Sequence, residues 1–251
     1  MKANKPNVLI LRAPGTNCDF ETAYAFELAG ASAERVHVNR LLEDPSLLDR
    51  FEILCFPGGF SFGDDVAAGR ILATELRHNL FEPLHRFKEA GRLILGICNG
   101  FQILVKSGLL LADDEAQPKA TLTWNKSGVY TDRWAHLTVD GGKCVFLKGI
   151  TSLYLPVAHA EGRFVGRDEA VLDQLQANGQ LALRYVPDEN PNGAERNVAG
   201  LCDETGRVFG LMPHPERYID PTQHPYWTRL EHLPEVGDGL ALFRNAVEYF
   251  G

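Results

Sequence analysis

The chain has 251 residues, enough for one large domain or two small ones, and at that size it needs no disulfide or structural metal to fold. Apolar residues make up 45% and charged residues 23%, an ordinary globular composition. The formal net charge is −8 and Lys and Arg form no cluster, which argues against nucleic acid or an anionic membrane as the main partner.

Met1 to Pro6 lacks the apolar stretch of a signal peptide, and no segment approaches the ~20 apolar residues of a membrane span. A cytoplasmic location and no membrane partner are therefore expected. Val8 to Leu11 reads as a short strand ended by Pro14-Gly15, and Phe20 to Leu28 as an amphipathic helix stopping at Gly30. Arg35 to Val38 and Glu52 to Phe56 are further strands, the second broken by Pro57-Gly58-Gly59. Apolar residues at Ile71, Leu72, Leu76, Leu80, Leu84 and Phe87 predict one long helix reaching Gly91. Arg92 to Ile97 is near-continuously apolar, the pattern of a strand covered on both faces.

From Lys119 short β-like stretches dominate: Ala120 to Trp124, His136 to Val139, Cys144 to Leu147, Leu153 to Ala158, Leu181 to Val186, Val198 to Cys202 and Val208 to Met212. Asp168 to Ala177 and Gly239 to Tyr249 read as helices, Pro187 to Arg196 and Arg217 to Asp238 as loops. Strand-helix alternation followed by short strands predicts an α/β fold. Its central sheet is mostly parallel and flanked by helices, with an antiparallel extension in the second half. No repeat or linker divides the chain, so one domain over residues 1–251 is expected.

Five cysteines, Cys18, Cys55, Cys98, Cys144 and Cys202, are scattered without close pairs, so neither a disulfide framework nor a metal site is expected. Cys98 stands apart because of Gly96-Ile97-Cys98-Asn99-Gly100, placed between a buried strand and a helix. That is the cysteine form of a nucleophile elbow, in which a sharp turn presents the nucleophile at the sheet's carboxyl edge. The helix start favours the thiolate, and the N–H of Asn99 points where an oxyanion would form. Met212-Pro213-His214-Pro215-Glu216 offers a proton carrier. If Pro215 keeps the segment extended, His214 and Glu216 project to the same side, the carboxylate holding the ring while its other nitrogen faces Cys98. Pro57-Gly58-Gly59, after a strand, suits a second oxyanion donor at the N–H of Gly59. On that basis Gly59→Pro should abolish turnover, and Gly59→Ala, which keeps the N–H, should give an intermediate loss.

With these segments together, the chain resembles the class I (triad) glutamine amidotransferases. Within them it is similar to the branch formed by the glutaminase subunits of phosphoribosylformylglycinamidine synthase. Ala13 to Asp19 resembles that branch's first strand-end loop, Pro57 to Asp64 its glycine signature, and Gly96 to Gln102 its nucleophile segment. His159 to Phe164 resembles its substrate-side strand and Met212 to Arg217 its His/Glu segment. Phe62 stands where the branch usually has Tyr, so a hydroxyl contact there is lost, and the Arg217 to Asp238 loop is longer than in compact members.

The resemblance implies that Cys98 is the nucleophile, His214 the acid/base and Glu216 its partner. It implies oxyanion N–H groups at Gly59 and Asn99, and contacts of Gln102, Glu161 and Gly162 with the amino-acid end of glutamine. It further implies hydrolysis of glutamine to glutamate and ammonia, with no cofactor in this chain. ATP and Mg would be held by a separate synthetase subunit that converts formylglycinamide ribonucleotide to its amidine, and a small accessory subunit would complete the assembly. Two rivals remain on the same fold: a glutaminase of another pathway, and a regulatory subunit without catalysis.

Overall fold

In the computed structural model, residues 5–112, 117–140 and 142–251 are described. The strands in chain order are β1 (Asn7–Arg12), β2 (Ser32–His37), β3 (Ile53–Phe56), β4 (Leu93–Ile97), β5 (Ala120–Thr123) and β6 (Thr131–Val139), then β7 (Ser152–His159), β8 (Arg163–Gly166), β9 (Leu183–Tyr185), β10 (Val198–Cys202) and β11 (Val208–Leu211). The helices are α1 (Asp19–Leu28), α2 (Val38–Glu43), α3 (Arg70–Asn79), α4 (Phe81–Glu89), α5 (Asn99–Ser107), α6 (Glu169–Ala177) and α7 (Leu240–Glu248).

One sheet runs in the order β2-β1-β3-β4-β11-β10-β9-β6-β7. Its first five strands are parallel, and from β11 through β10, β9, β6 and β7 the pairing is antiparallel. This is the α/β architecture with an antiparallel extension that the alternation implied. β3, β4, β10 and β11 are buried at every residue, as strands covered on both faces must be. β5 and β8 form a separate antiparallel pair, Thr123 opposite Arg163. Among the described residues no helix is long and apolar enough to cross a membrane.

The position of α5 decides where chemistry can occur. Every residue of it except Lys106 is buried, including polar Asn99 and Gln102. A fully buried helix start keeps its free N–H groups away from bulk water, where they interact more strongly with a developing charge.

Four expectations are corrected. The single helix from Ile71 to Phe87 is two, α3 and α4, broken at Leu80 (φ −126°). Pro83 explains it: its ring would collide with the carbonyl four residues back, at Asn79, so it is accepted only in the first turn of a new helix. Cys144 to Leu147 is not a strand; Val145–Leu147 is a 3₁₀ turn, with the carbonyls of Phe146 and Lys148 accepting from Asn245 Nδ2 at 2.9 Å each. Arg35 to Val38 ends one residue early, because His37 caps α2 by accepting the N–H of Asn39 at 3.2 Å. His159 to Phe164 is not one strand either: His159 ends β7, Arg163 begins β8, and a turn lies between them.

Candidate active site

The parallel pairing of β4 with β11 brings the two sequence segments with chemistry to one edge. Ile97 lies opposite Leu211, and the N–H of Cys98 donates to the carbonyl of Leu211 at 2.7 Å. Cys98 therefore leaves β4 beside the point where the His214 segment leaves β11.

Cys98 has φ +51° and ψ −104°, a strained conformation for a residue with a side chain. Close packing on both sides enforces it. A Cβ on Gly96 would lie 2.6 Å from the carbonyl oxygen of Gly100, and one on Gly100 would lie 1.9 Å from that of Phe56. The strain turns the thiol to the carboxyl edge of the sheet, where Sγ sits 3.8 Å from the carbonyl oxygen of Ala158.

His214 Nδ1 lies 2.6 Å from Oε1 of Glu216, and both side chains are buried. The route differs from the extended segment expected. Pro215 opens a 3₁₀ turn, Pro215–Arg217, and the turn brings Glu216 back onto the ring. The backbone N–H of His214 donates to Pro156 at 2.9 Å, which pins the segment to β7. Burial alone would push the imidazole down, but the Glu216 carboxylate and the Cys98 and Cys18 thiols outweigh it and hold His214 well above the ordinary histidine value. The balance favours the imidazolium, the partner that stabilises a thiolate. Its Nε2 makes no hydrogen bond of normal geometry among the described residues, and catalytic bonds of this kind often tighten only with substrate present.

Gly59 (φ +143°) lies two residues before Ser61, whose backbone N–H donates to the side-chain oxygen of Asn99 at 3.1 Å. Among the described residues neither the Gly59 nor the Asn99 N–H is bonded to a backbone acceptor. The Gly59 loop is held from behind by β1's trailing loop, where Phe60 donates to Gly15 at 3.0 Å and Cys18 to Gly58 at 3.2 Å. Phe62, at φ +54°, packs against the core through its ring.

The three expected substrate contacts are differently placed. Gln102 is buried with both ends of its amide engaged: Nε2 donates to the carbonyl of Glu161 at 2.7 Å and Oε1 accepts from Asn99 at 3.0 Å. Its structural role is to join α5 to the Glu161 turn. Glu161 is half-buried, with Oε2 accepting the N–H of Ala68 at 3.2 Å, and Gly162 is buried under the His159 ring.

Two residues near the triad escaped the sequence reading. Cys18 is buried, its thiol donating to Asn17 Oδ1 at 3.2 Å and its sulfur accepting from Arg217 at 3.1 Å. Burial pushes that thiol up, so it is neutral beside the imidazole. Tyr130 is half-exposed, and the Cys98 thiol and the His214 imidazole both act on its phenol, which burial pushes up. Cys18 lies in the Ala13 to Asp19 loop, whose resemblance gave the thiol no role of its own, and Tyr130 lies between a turn and a solvated strand, so proximity in space is what marks them.

Cys18, His214 and Glu216 place donor atoms within 4.8 Å of one another, a set that a soft divalent ion would accept. The Glu216–His214 bond and the Arg217 guanidinium on Cys18 already engage those donors, and a second cation would meet the guanidinium's charge. The arrangement suits a thiolate nucleophile, an imidazolium acid and two N–H donors, which is the equipment for acyl transfer.

The model of the CobB/CobQ-like glutamine amidotransferase domain matches residues 5–250. The chain belongs to the CobB/CobQ-like glutamine amidotransferase family. This amidotransferase is 51% identical over 254 residues to the phosphoribosylformylglycinamidine synthase subunit PurQ of Dehalococcoides mccartyi, covering 98% of both chains. It is 42% identical to the protein of the same name from Methanococcus maripaludis, over 98% of this chain and 97% of that one. Among solved structures, a chain described as PurLQS from Thermotoga maritima matches with a TM-score of 0.77 and 32% identity, over 99% of this chain and 100% of that one. The glutaminase domain of Trypanosoma brucei CTPS with bound acivicin shares the fold, with a TM-score of 0.59 and 13% identity over 98% of this chain and 94% of that one.

Proposed function

We propose that this amidotransferase is the glutaminase subunit of phosphoribosylformylglycinamidine synthase. The observation that carries the reading is full-length identity of 51% to a chain of that name, together with a thiol, imidazole and carboxylate at one sheet edge. The fold alone would not choose, because glutaminases of other pathways share it.

The Cys98 thiolate attacks the side-chain carboxamide carbon of glutamine, and the negative charge that builds on oxygen meets the N–H groups of Gly59 and Asn99. The His214 imidazolium protonates the nitrogen as the C–N bond breaks, releasing ammonia and leaving a γ-glutamyl thioester on Cys98. His214, now neutral, takes a proton from water, whose oxygen attacks the thioester. Glutamate leaves, and the thiolate–imidazolium pair is restored. Glu216 keeps the ring in the required tautomer and stabilises its charge. Glu161 and Gly162 form the wall that meets the amino-acid end of glutamine.

This chain works without a cofactor of its own, as one catalytic domain in the cytoplasm. Its ammonia passes to an ATP- and Mg-dependent synthetase subunit, with a small accessory subunit in the assembly, and converts formylglycinamide ribonucleotide to the amidine.

The test is glutamate release with and without the synthetase subunit, alongside Cys98→Ser. The variant should lose glutamine-dependent amidine formation in the reconstituted complex and keep the ammonia-dependent reaction. A folded variant losing both activities would count against an ammonia-supplying role. Glutamate release without coupling to this synthetase would point to another pathway, and none under any condition to a regulatory subunit.

A further inference from the structure

The wall beside Cys98 is organised by a histidine outside the triad. His159, at the end of β7, is buried, one residue after the carbonyl that touches Cys98 Sγ. Its Nδ1 lies 3.1 Å from Oδ1 of Asn125 and its Nε2 lies 3.5 Å from Nδ2 of Asn192.

Other partners settle which way each asparagine faces. Asn125 Nδ2 donates to the carbonyls of His159 and Val129 at 2.8 and 3.0 Å, so Oδ1 is the atom at the ring. That oxygen also accepts the N–H of Gly162 at 3.1 Å. Asn192 Nδ2 donates to the carbonyl of Gly162 at 2.8 Å, and its Oδ1 accepts the N–H of Ala194 at 2.9 Å. His159 is therefore neutral, with its proton on Nδ1; a second proton on Nε2 would point at a donor. Burial, with the charge on His214 adding to it, pushes this imidazole down to about 4.

The ring and the two amides clamp one turn. Both the N–H and the carbonyl of Gly162 are held, and a Cβ there would lie 2.3 Å from the His159 ring. Glu161, next to it, is fixed by Gln102 on its carbonyl and Ala68 on its carboxylate. Through Val129, Asn125 also anchors the turn that carries Tyr130. Nothing in the cluster donates to or accepts from the triad, so its geometry bears on where substrate rests and not on proton transfer.

We propose that Asn125, His159 and Asn192 are positioning residues that hold the Glu161-Gly162 turn in place to receive the ammonium and carboxylate of glutamine, and so set affinity for the amino-acid end. A carboxylate on a rigid turn suits an α-ammonium group, and pre-setting the turn removes an ordering cost at binding. The inference rests on the glutaminase reading above.

Asn192→Ala, Asn125→Ala, His159→Gln and His159→Leu are compared in the reconstituted complex. The KM for glutamine should rise roughly tenfold in both asparagine variants, with kcat within about threefold, the pattern of lost uniform binding. His159→Gln keeps a donor and an acceptor and should retain more affinity than His159→Leu. Labelling of Cys98 separates the site's two halves: a glutamine-like chloroketone should lose affinity in Asn192→Ala, while iodoacetamide, which has no amino-acid end, should react at the wild-type rate. An unchanged KM in folded Asn192→Ala, or iodoacetamide slowed along with the chloroketone, overturns the proposal. If Asn125→Ala fails to fold, Asn192→Ala and the His159 pair decide. A wild type that neither hydrolyses glutamine nor takes the chloroketone overturns the function itself and this inference with it.

Discussion

The side-chain oxygen of Asn99 accepts the backbone N–H of Ser61 at 3.1 Å, tying the first residue of the nucleophile helix to the glycine loop across the site. Its Nδ2 donates to Asp64 at 3.1 Å and to Gln102 at 3.0 Å. One buried amide thus ties the Gly59 loop to the helix start, and so sets relative to each other the two N–H groups proposed to meet the oxyanion.

Asn99→Ala keeps the backbone N–H and removes the brace, leaving the Ser61 N–H unpaired at a cost of about 1–3 kcal/mol. We expect kcat to fall roughly tenfold to a hundredfold with a smaller change in KM, since the charge the donors meet exists only in the transition state. Asn99→Asp should be worse, because a carboxylate would face Asp64 and the Gln102 oxygen. Steady-state kinetics beside thermal melts decide; an Asp variant more active than the Ala variant would contradict the brace.

Glu216 is the strongest of the groups that lift His214 against its burial. In the proposed mechanism the imidazolium is the acid for departing ammonia, so activity should hold below the raised His214 value and decline as pH climbs through it. Glu216→Gln should move that basic limb of kcat/KM to lower pH and reduce kcat by roughly 10²–10⁴. His214→Ala should be more damaging still. The linked stability has the same sign: the ion pair's contribution is complete below the ordinary value near 6.5 and is lost as pH rises through the folded value. The wild type's melting advantage over Glu216→Gln should therefore shrink at alkaline pH, and an advantage that grows there would show that the imidazole is neutral.

Asp64 gives the same sign of pH dependence from a different cause. Burial is the main reason its carboxyl is pushed from 3.8 up to about 6, and Glu161 adds to it. The folded state binds this proton more tightly, so the group favours folding below 3.8 and opposes it progressively as pH rises to about 6. Asp64→Asn keeps an oxygen for Asn99 and tolerates the left-handed backbone there (φ +55°). We expect the variant to melt higher than wild type at pH 8 and to lose that advantage near pH 4. A pH-independent difference would mean that the carboxyl is solvated.

Most of the parallel half was legible because β3 and β4 are apolar throughout, the first stopping at Pro57-Gly58 and the second at the glycine-flanked turn of Cys98. The elbow was legible for a steric reason: Gly96 and Gly100 are the residues that let strand and helix approach. β6 begins at Thr131, five residues before its visible pattern, because Asp132 and Arg133 are solvated and show no alternation. The clamp on the Glu161 turn was not legible. Asn125 and Asn192 lie 34 and 33 residues from His159, and nothing local marks an amide whose partners are that distant. For Gln102 the sequence carried the segment but not the bonds its amide makes to Asn99 and to the Glu161 carbonyl, since the second of these lies 59 residues away.

Gly59 shows how the structure changes a test. With φ +143°, a Cβ at this position would lie 2.8 Å from the Asn17 nitrogen and 2.9 Å from the Gly15 carbonyl oxygen. Neither atom can yield, because both belong to the loop that holds Gly59 in place. Gly59→Ala is therefore no mild control: it should displace the loop and approach Gly59→Pro in severity, contrary to the intermediate loss expected from sequence. A cleaner removal of the donor is a backbone ester at position 59, introduced as glycolic acid, which replaces the N–H by oxygen and adds no atom to the crowded face. The ester should lower kcat by roughly 10²–10³, the usual effect of deleting one oxyanion donor, and leave KM within about threefold. The melting temperature and synthetase binding should stay at wild-type levels, since among the described residues this N–H holds no backbone acceptor. Wild-type turnover in the ester variant would remove Gly59 from the oxyanion site and leave the Asn99 N–H in need of a different partner.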